Sequence, residues 1–220
     1  MDAALVLTDR PVTLRRTIAV VLGAVLVAAA AQVAVPLPGT PVPMTLQPLA
    51  VLLVGGLLGA RLGALSMILY LAMGVAGLPV FTPTVPLVGI ARLMGPTGGY
   101  LLAYPVAAYV VGWFSDPGRK PGENPNPAWG GVSGDPVPMS VNPGLAPGVR
   151  EPYLLRVALG VLAGLVLIHI GGLAQLAILT GDLSTAARFG TLPFLLGDLI
   201  KLVVATLVLT KLTPPVRARL

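Results

Sequence analysis

The chain has 220 residues, 55% of them hydrophobic and only 10% charged, with a net charge of +6. A soluble domain carries about 25% charged residues, so this composition cannot clothe a water-facing surface and points to a single compact unit in a bilayer. The absence of cysteine excludes disulfides, thiolate metal sites and thiol nucleophiles.

From Leu14 to Val35 the only charges are Arg15 and Arg16, at the start. The roughly 20 apolar residues that follow are enough for a hydrocarbon core of about 30 Å. This reads as a first span rather than a cleaved leader. Four prolines between Pro36 and Pro43 then forbid helix and give an ordered or extended loop. Between Met44 and Ala91 the only charge is Arg61, which divides two short spans at about 46–60 and 62–78. Placing Arg61 at a membrane surface avoids the cost of a mid-bilayer charge. A proline-rich connection, 78–96, leads to a fourth span at about 97–114, ending in the interfacial aromatics Trp113 and Phe114. Residues 115–150 hold eight prolines and seven glycines and read as a disordered linker. A fifth span at about 152–179, a short polar loop with Gly181, Asp182, Ser184 and Arg188, and a sixth span at about 192–212 complete the chain.

Six spans put both termini on one side. Arg10, Arg15, Arg16, Arg61, Arg119, Lys120, Arg150, Arg156, Lys211, Arg217 and Arg219 fall there, 11 of the 14 basic residues. Arg92 and Arg188 fall opposite, and Lys201 lies within a span. The positive-inside rule then places both termini in the cytoplasm. It also accounts for the net charge without nucleic acid.

Asp198 and Lys201 stand out, being three residues apart on one helix face inside an apolar run. Charged groups there face a cavity or each other, so the pair is either a solute site near the outer end or a self-neutralised anchor. The turn Gly95-Pro-Thr-Gly-Gly-Tyr100 opens the fourth span. Its glycines permit close backbone approach and its helix-start amides are donors; the same turn also serves as a tight helix start. Gln47 offers a hydrogen bond to a solute or a helix cap, and Arg92 offers a cation to an anionic solute. His169 is a lone intramembrane histidine, read either as a bond to a neighbouring helix or as a proton relay. Gly55, Gly59 and Gly63 repeat every four residues, as do Gly160 with Gly164 and Ala24 with Ala28. This spacing lets membrane helices touch, within the chain or against a partner. No phosphate-binding loop is present, so ATP hydrolysis is not expected here, nor is a metal site or catalytic group.

Five ordered motifs carry a resemblance. They are Pro43-Met-Thr-Leu-Gln47, Leu57-Leu-Gly-Ala-Arg-Leu-Gly-Ala64, Tyr70-Leu-Ala-Met-Gly-Val-Ala-Gly-Leu-Pro-Val-Phe81, Gly95-Pro-Thr-Gly-Gly-Tyr-Leu101 and Leu192-Pro-Phe-Leu-Leu-Gly-Asp-Leu-Ile-Lys201. Together they resemble the BioY family, the biotin-specific S components of energy-coupling factor (ECF) transporters. The resemblance covers roughly residues 14–114 and 152–212. It implies an all-α, six-helix S-component fold in the cell membrane, with a biotin pocket open to the outside. Asp198 and Lys201 are carried over as polar contacts, and Gln47, Gly98, Gly99 and Tyr100 as further substrate-binding candidates; Arg92 and Thr97 join them from the reading of the residues themselves. It also implies a transmembrane coupling subunit and two ATPase subunits, engaged through Ala24 and Ala28.

The expected function is therefore biotin capture without chemistry or cofactor. Three rivals stand beside it. An S component for another vitamin would be separated by ligand competition. An ion-coupled transporter using Asp198 and Lys201 as a proton relay would fail with an uncoupler yet work without ATPase partners. A purely structural subunit would bind no ligand.

Overall fold

The computed structural model describes residues 10–118 and 147–220. Its first helix, α1 (Arg10–Gln32), runs into a two-residue ribbon, in which Ala34–Val35 pairs antiparallel with Met44–Thr45. The proline-rich segment between these strands is the expected non-helical loop. Helix α2 (Gln47–Leu58) starts with Pro48 in its first turn, where a missing N–H costs nothing. Helix α3 (Ala60–Val75) follows after a single residue. That residue is Gly59, with φ at 89°, a left-handed angle that turns the chain back while its N–H still bonds Gly55 O at 3.0 Å.

A short helix, α4 (Ile90–Met94), precedes α5 (Gly98–Phe114). Helix α6 (Pro147–Thr180) is the longest, at 34 residues, or about 50 Å. It begins inside the segment expected to be linker. Residues 119–146 of that segment lie outside the described residues. The polar loop expected after the fifth span is instead a helix, α7 (Leu183–Gly190). Asp182 caps it, with Oδ2 accepting from Thr185 N at 2.7 Å and Oδ1 from Ser184 N at 3.3 Å. A 3₁₀ turn, Leu192–Phe194, leads into α8 (Leu195–Arg217).

The fold is all-α apart from the small ribbon, with six apolar helices among the described residues. The segments Val12–Gln32, Tyr153–Thr180 and Leu183–Arg217 are long and apolar enough to cross a membrane. Helices α2, α3 and α5 are apolar but shorter. Helix α5 is central and packs against α2, α3 and α6. Its contact with α6 is close because Gly99 and Gly171 meet backbone to backbone; a Cβ on either would strike the other's carbonyl oxygen. A Cβ at Gly55 would lie 2.5 Å from Ala108 O, and one at Gly63 would lie 2.7 Å from Gly55 Cα. The glycine repeats therefore join α2, α3 and α5 within the chain.

The main core gathers Val27 of α1, Val51 and Val54 of α2, Met67 and Tyr70 of α3, Tyr104 and Ala107 of α5, and Ile168 of α6. Ala24 is fully buried in this core and Ala28 packs against it. In this register of α1, Ala24 has no exposed surface, while Ala28 is half-buried. The outward face carries Leu14, Ile18, Leu22, Val25 and Leu26 instead.

Candidate functional site

The starts of α2, α5 and α8 and the ends of α1, α3 and α6 converge on one end of the bundle. At this end the helices and the segments joining them surround a cavity. Val42, Pro43, Phe81, Leu101, Leu165, Ile168 and Phe194 give it a largely apolar wall. Thr45, Gln47, Thr82, Arg92, Thr97, Tyr100, Tyr104, His169, Asp198 and Lys201 supply the polar groups.

The first turns of α8 carry Asp198 and Lys201, both buried. Lys201 Nζ donates to Asp198 Oδ1 at 2.9 Å, the contact their three-residue spacing allows. His169, from α6, places Nε2 2.6 Å from Asp198 Oδ2. A carboxylate only accepts, so the imidazole donates. Each carboxylate oxygen thus has one bond from the protein, and each retains a free lone pair for a donor in the cavity.

Across the cavity, Gln47 Nε2 donates to Tyr70 Oη at 2.5 Å, and Tyr70 in turn to Val80 O at 3.3 Å. Thr45 Oγ1 donates to Gln47 Oε1 at 3.3 Å. These bonds tie the ribbon and the start of α2 to the connection after α3. Tyr100 Oη donates to Gly190 O at 2.5 Å, and Thr40 Oγ1 to Phe189 O at 2.7 Å. The end of α7 is therefore held both to the cavity wall and to the ribbon loop.

Arg92 is only 1% exposed and stands on the wall. Its NH1 donates to Val85 O at 2.8 Å, while Nε has no partner. No carboxylate among the described residues pairs with it. Burial pushes its pKa down from the usual arginine value, because a desolvated guanidinium is costly unless an anion meets it. Thr97 Oγ1 and His169 Nδ1 are likewise buried without a partner. Arg92, Thr97 and His169 thus bring polar groups that the protein only partly satisfies to the lining of the cavity.

Of the residues singled out in the sequence, Asp198, Lys201, Gln47, Arg92, Thr97 and Tyr100 all reach the wall. Gly98 and Gly99 stand behind it. A Cβ at Gly98 would strike Leu93 O, and one at Gly99 would strike Gly171 O, so both glycines serve close packing. Behind them, Gln175 Nε2 donates to Leu93 O at 2.8 Å and Gly95 O at 2.7 Å, holding the turn that delivers Arg92 and Thr97. Neither Gln175 nor the His169–Asp198 bond is visible in local spacing. Both join residues from separate helices.

The opposite end of the bundle is closed. Arg217 NH2 donates to Gly56 O at 2.8 Å and Gly112 O at 2.7 Å, and NH1 lies 3.6 Å from Asp116 Oδ1. Tyr153 Oη donates to Ser115 O at 3.1 Å, and Arg156 donates to Asp116 O. One arginine thereby joins the ends of α2, α5 and α8.

The chain is 32% identical over 187 residues to a protein named biotin transporter BioY from Thermotoga maritima, covering 85% of this chain and 89% of that one. It is 32% identical over 172 residues to a protein named probable biotin transporter BioY from Pyrococcus horikoshii, covering 78% and 81% of the two chains. The fold is similar to a crystal structure described as the S-component for biotin from an ECF-type ABC transporter, with a TM-score of 0.66, 21% identity and 91% of both chains covered. The family model described as the BioY family matches residues 5–218, nearly the whole of the 220-residue sequence, and the chain belongs to that family.

Proposed function

We propose that this chain captures biotin from outside the cell, as the substrate-binding membrane subunit of an energy-coupling factor transporter. The observation that carries the proposal is the Asp198 carboxylate, bonded once on each oxygen and facing a largely apolar cavity. Biotin has two ureido N–H donors side by side on an apolar bicyclic body, and a carboxylate at the end of a flexible chain. The two free acceptor positions of Asp198 suit the ureido edge. Lys201, with donors to spare, suits an oxygen of the solute. Arg92, buried without a carboxylate partner, suits the tail. Thr97, Tyr100 and Gln47 complete the polar wall, with Gly98 and Gly99 setting its backbone. The names of the relatives support biotin over other vitamins.

In the same reading the six apolar helices are six spans, with both termini cytoplasmic and the cavity facing outward. The placement of basic residues supports this orientation. Short spans are tolerated because neighbouring helices cover α2, α3 and α5. Transport energy comes from a coupling subunit and two ATPase subunits, since the sequence carries no phosphate-binding loop. The exposed apolar face of α1, rather than the buried Ala24, is the surface available to the coupling subunit.

The test is calorimetric titration of the purified chain with biotin, beside Asp198→Asn. The expected result is tight binding by the wild type and a loss of at least about 100-fold in the variant. That loss corresponds to weakening two charge-assisted hydrogen bonds. A folded wild type that ignores biotin would sink the assignment.

A further inference from the structure

We infer that His169 is a positioning residue: it sets the plane of the Asp198 carboxylate so that the site selects solutes presenting two N–H donors side by side. The inference rests on the biotin reading above and extends it to the origin of selectivity.

Lys201 and Asp198 share a helix, so their bond alone leaves the carboxylate free to turn with the long lysine side chain. His169 comes from α6 and has a short side chain. Its ring lies 6.2 Å edge-on from Tyr100 and 6.5 Å from Phe194, centroid to centroid. The Tyr100 hydroxyl is engaged with Gly190 O and does not compete for the imidazole. The 2.6 Å contact to Oδ2 therefore ties the carboxylate to a second, independently packed helix. Held at 2.9 Å through Oδ1 and 2.6 Å through Oδ2, the carboxylate has a fixed orientation. Its two remaining acceptor positions match a donor pair rather than a single donor. A cyclic urea has such a pair on one edge.

The imidazole Nε2–H can be imitated. The amide nitrogen of glutamine reaches about the same place as Nε2, whereas leucine fills space without donating. The experiment titrates the full-length protein in detergent, as wild type, His169→Leu and His169→Gln, with biotin and with biotin methylated on one ureido nitrogen. Wild type should prefer biotin by at least about tenfold. His169→Leu should bind biotin at least about tenfold more weakly and lose most of that preference, while His169→Gln restores both to within about threefold. These sizes follow from one hydrogen bond to a charged group.

If His169→Leu binds both ligands as wild type does, the inference is overturned. It is equally overturned if His169→Gln falls as far as leucine while remaining folded, because ring volume rather than the N–H would then matter. Should the leucine variant fail to fold, glutamine alone decides, with near-native affinity and preference required. A wild type that binds no biotin overturns the functional reading and this inference together. A wild type that binds biotin, with variants that change nothing, overturns this inference alone.

Discussion

Arg92 and Asp198 present opposite charges to one cavity, and they differ in how they are satisfied. Asp198 has two partners, whereas the buried Arg92 has a single bond to a carbonyl and an unpartnered Nε. If Arg92 receives the tail carboxylate, replacing that carboxylate by a neutral amide should weaken binding about 10- to 100-fold in the wild type. In Arg92→Gln the same change of ligand should cost little. Parallel titrations with biotin and biotinamide measure this, and an undiminished ligand difference in the variant would remove Arg92 from that role. At this scale the sequence was partly legible. Asp198 and Lys201 announced themselves because a three-residue spacing on a helix is local information. His169 lies 29 residues from Asp198, and no spacing rule brings it there. Gly98 and Gly99 showed that the backbone must approach something closely, but glycine does not say whether that is a ligand or another backbone. Here it is Leu93 and Gly171.

The elements were legible where hydrophobicity ran long. All six apolar helices lie close to their expected ranges, because an apolar run bounded by proline, glycine or arginine has few other solutions. The small elements at the cavity end were not, because α4 has only five residues and α7 eight, too few for a period to declare itself. Asp182 ahead of Leu-Ser-Thr was nevertheless a start signal. A hydrogen bond from the Thr185 side chain and another from its backbone amide hold the Asp182 carboxyl below the usual range. A depressed carboxyl contributes stability above its unfolded pKa and loses it as pH falls through the folded one. The protection of the Ser184 and Thr185 amides, measured against the intrinsic exchange rate at each pH, should therefore fall on acidification, and in Asp182→Ala it should already be lost at neutral pH. Protection that ignores both changes would show the cap to be idle. The contact between α5 and α6 makes a firmer demand. Gly99→Ala puts a methyl group where Gly171 O already stands, so the helices must separate. Destabilisation of about 1–3 kcal/mol is expected from such overpacking, seen as a lower midpoint in detergent unfolding. An unchanged midpoint would mean that this seam yields freely.

At the scale of the whole molecule, the two ends of the bundle are built differently. One end gathers the cavity, the ribbon and the two short helices. The other is sewn shut by Arg217, which bonds α2 and α5 through the carbonyls of Gly56 and Gly112. Arg61 lies exposed just past Gly59, near this closed end, and the same end collects most of the basic residues. On the proposed topology this closed end is the cytoplasmic one, and among the described residues three segments are long enough by themselves to cross a bilayer. The decisive case is α2, whose 12 residues span about 18 Å. If it crosses, its two ends face opposite compartments. The native sequence has no cysteine, so single substitutions report cleanly on access. Pro38→Cys, Pro86→Cys and Ser184→Cys should react with a membrane-impermeant maleimide in intact cells. Arg61→Cys, Gly118→Cys and Arg219→Cys should react only after permeabilisation. Arg61→Cys carries the most weight. Labelling from outside together with Pro38→Cys and Pro86→Cys would make α2 and α3 a re-entrant pair, leaving four spans and the termini still on one side. Inversion of the whole series would keep six spans and turn the cavity toward the cytoplasm, which is incompatible with capture from outside.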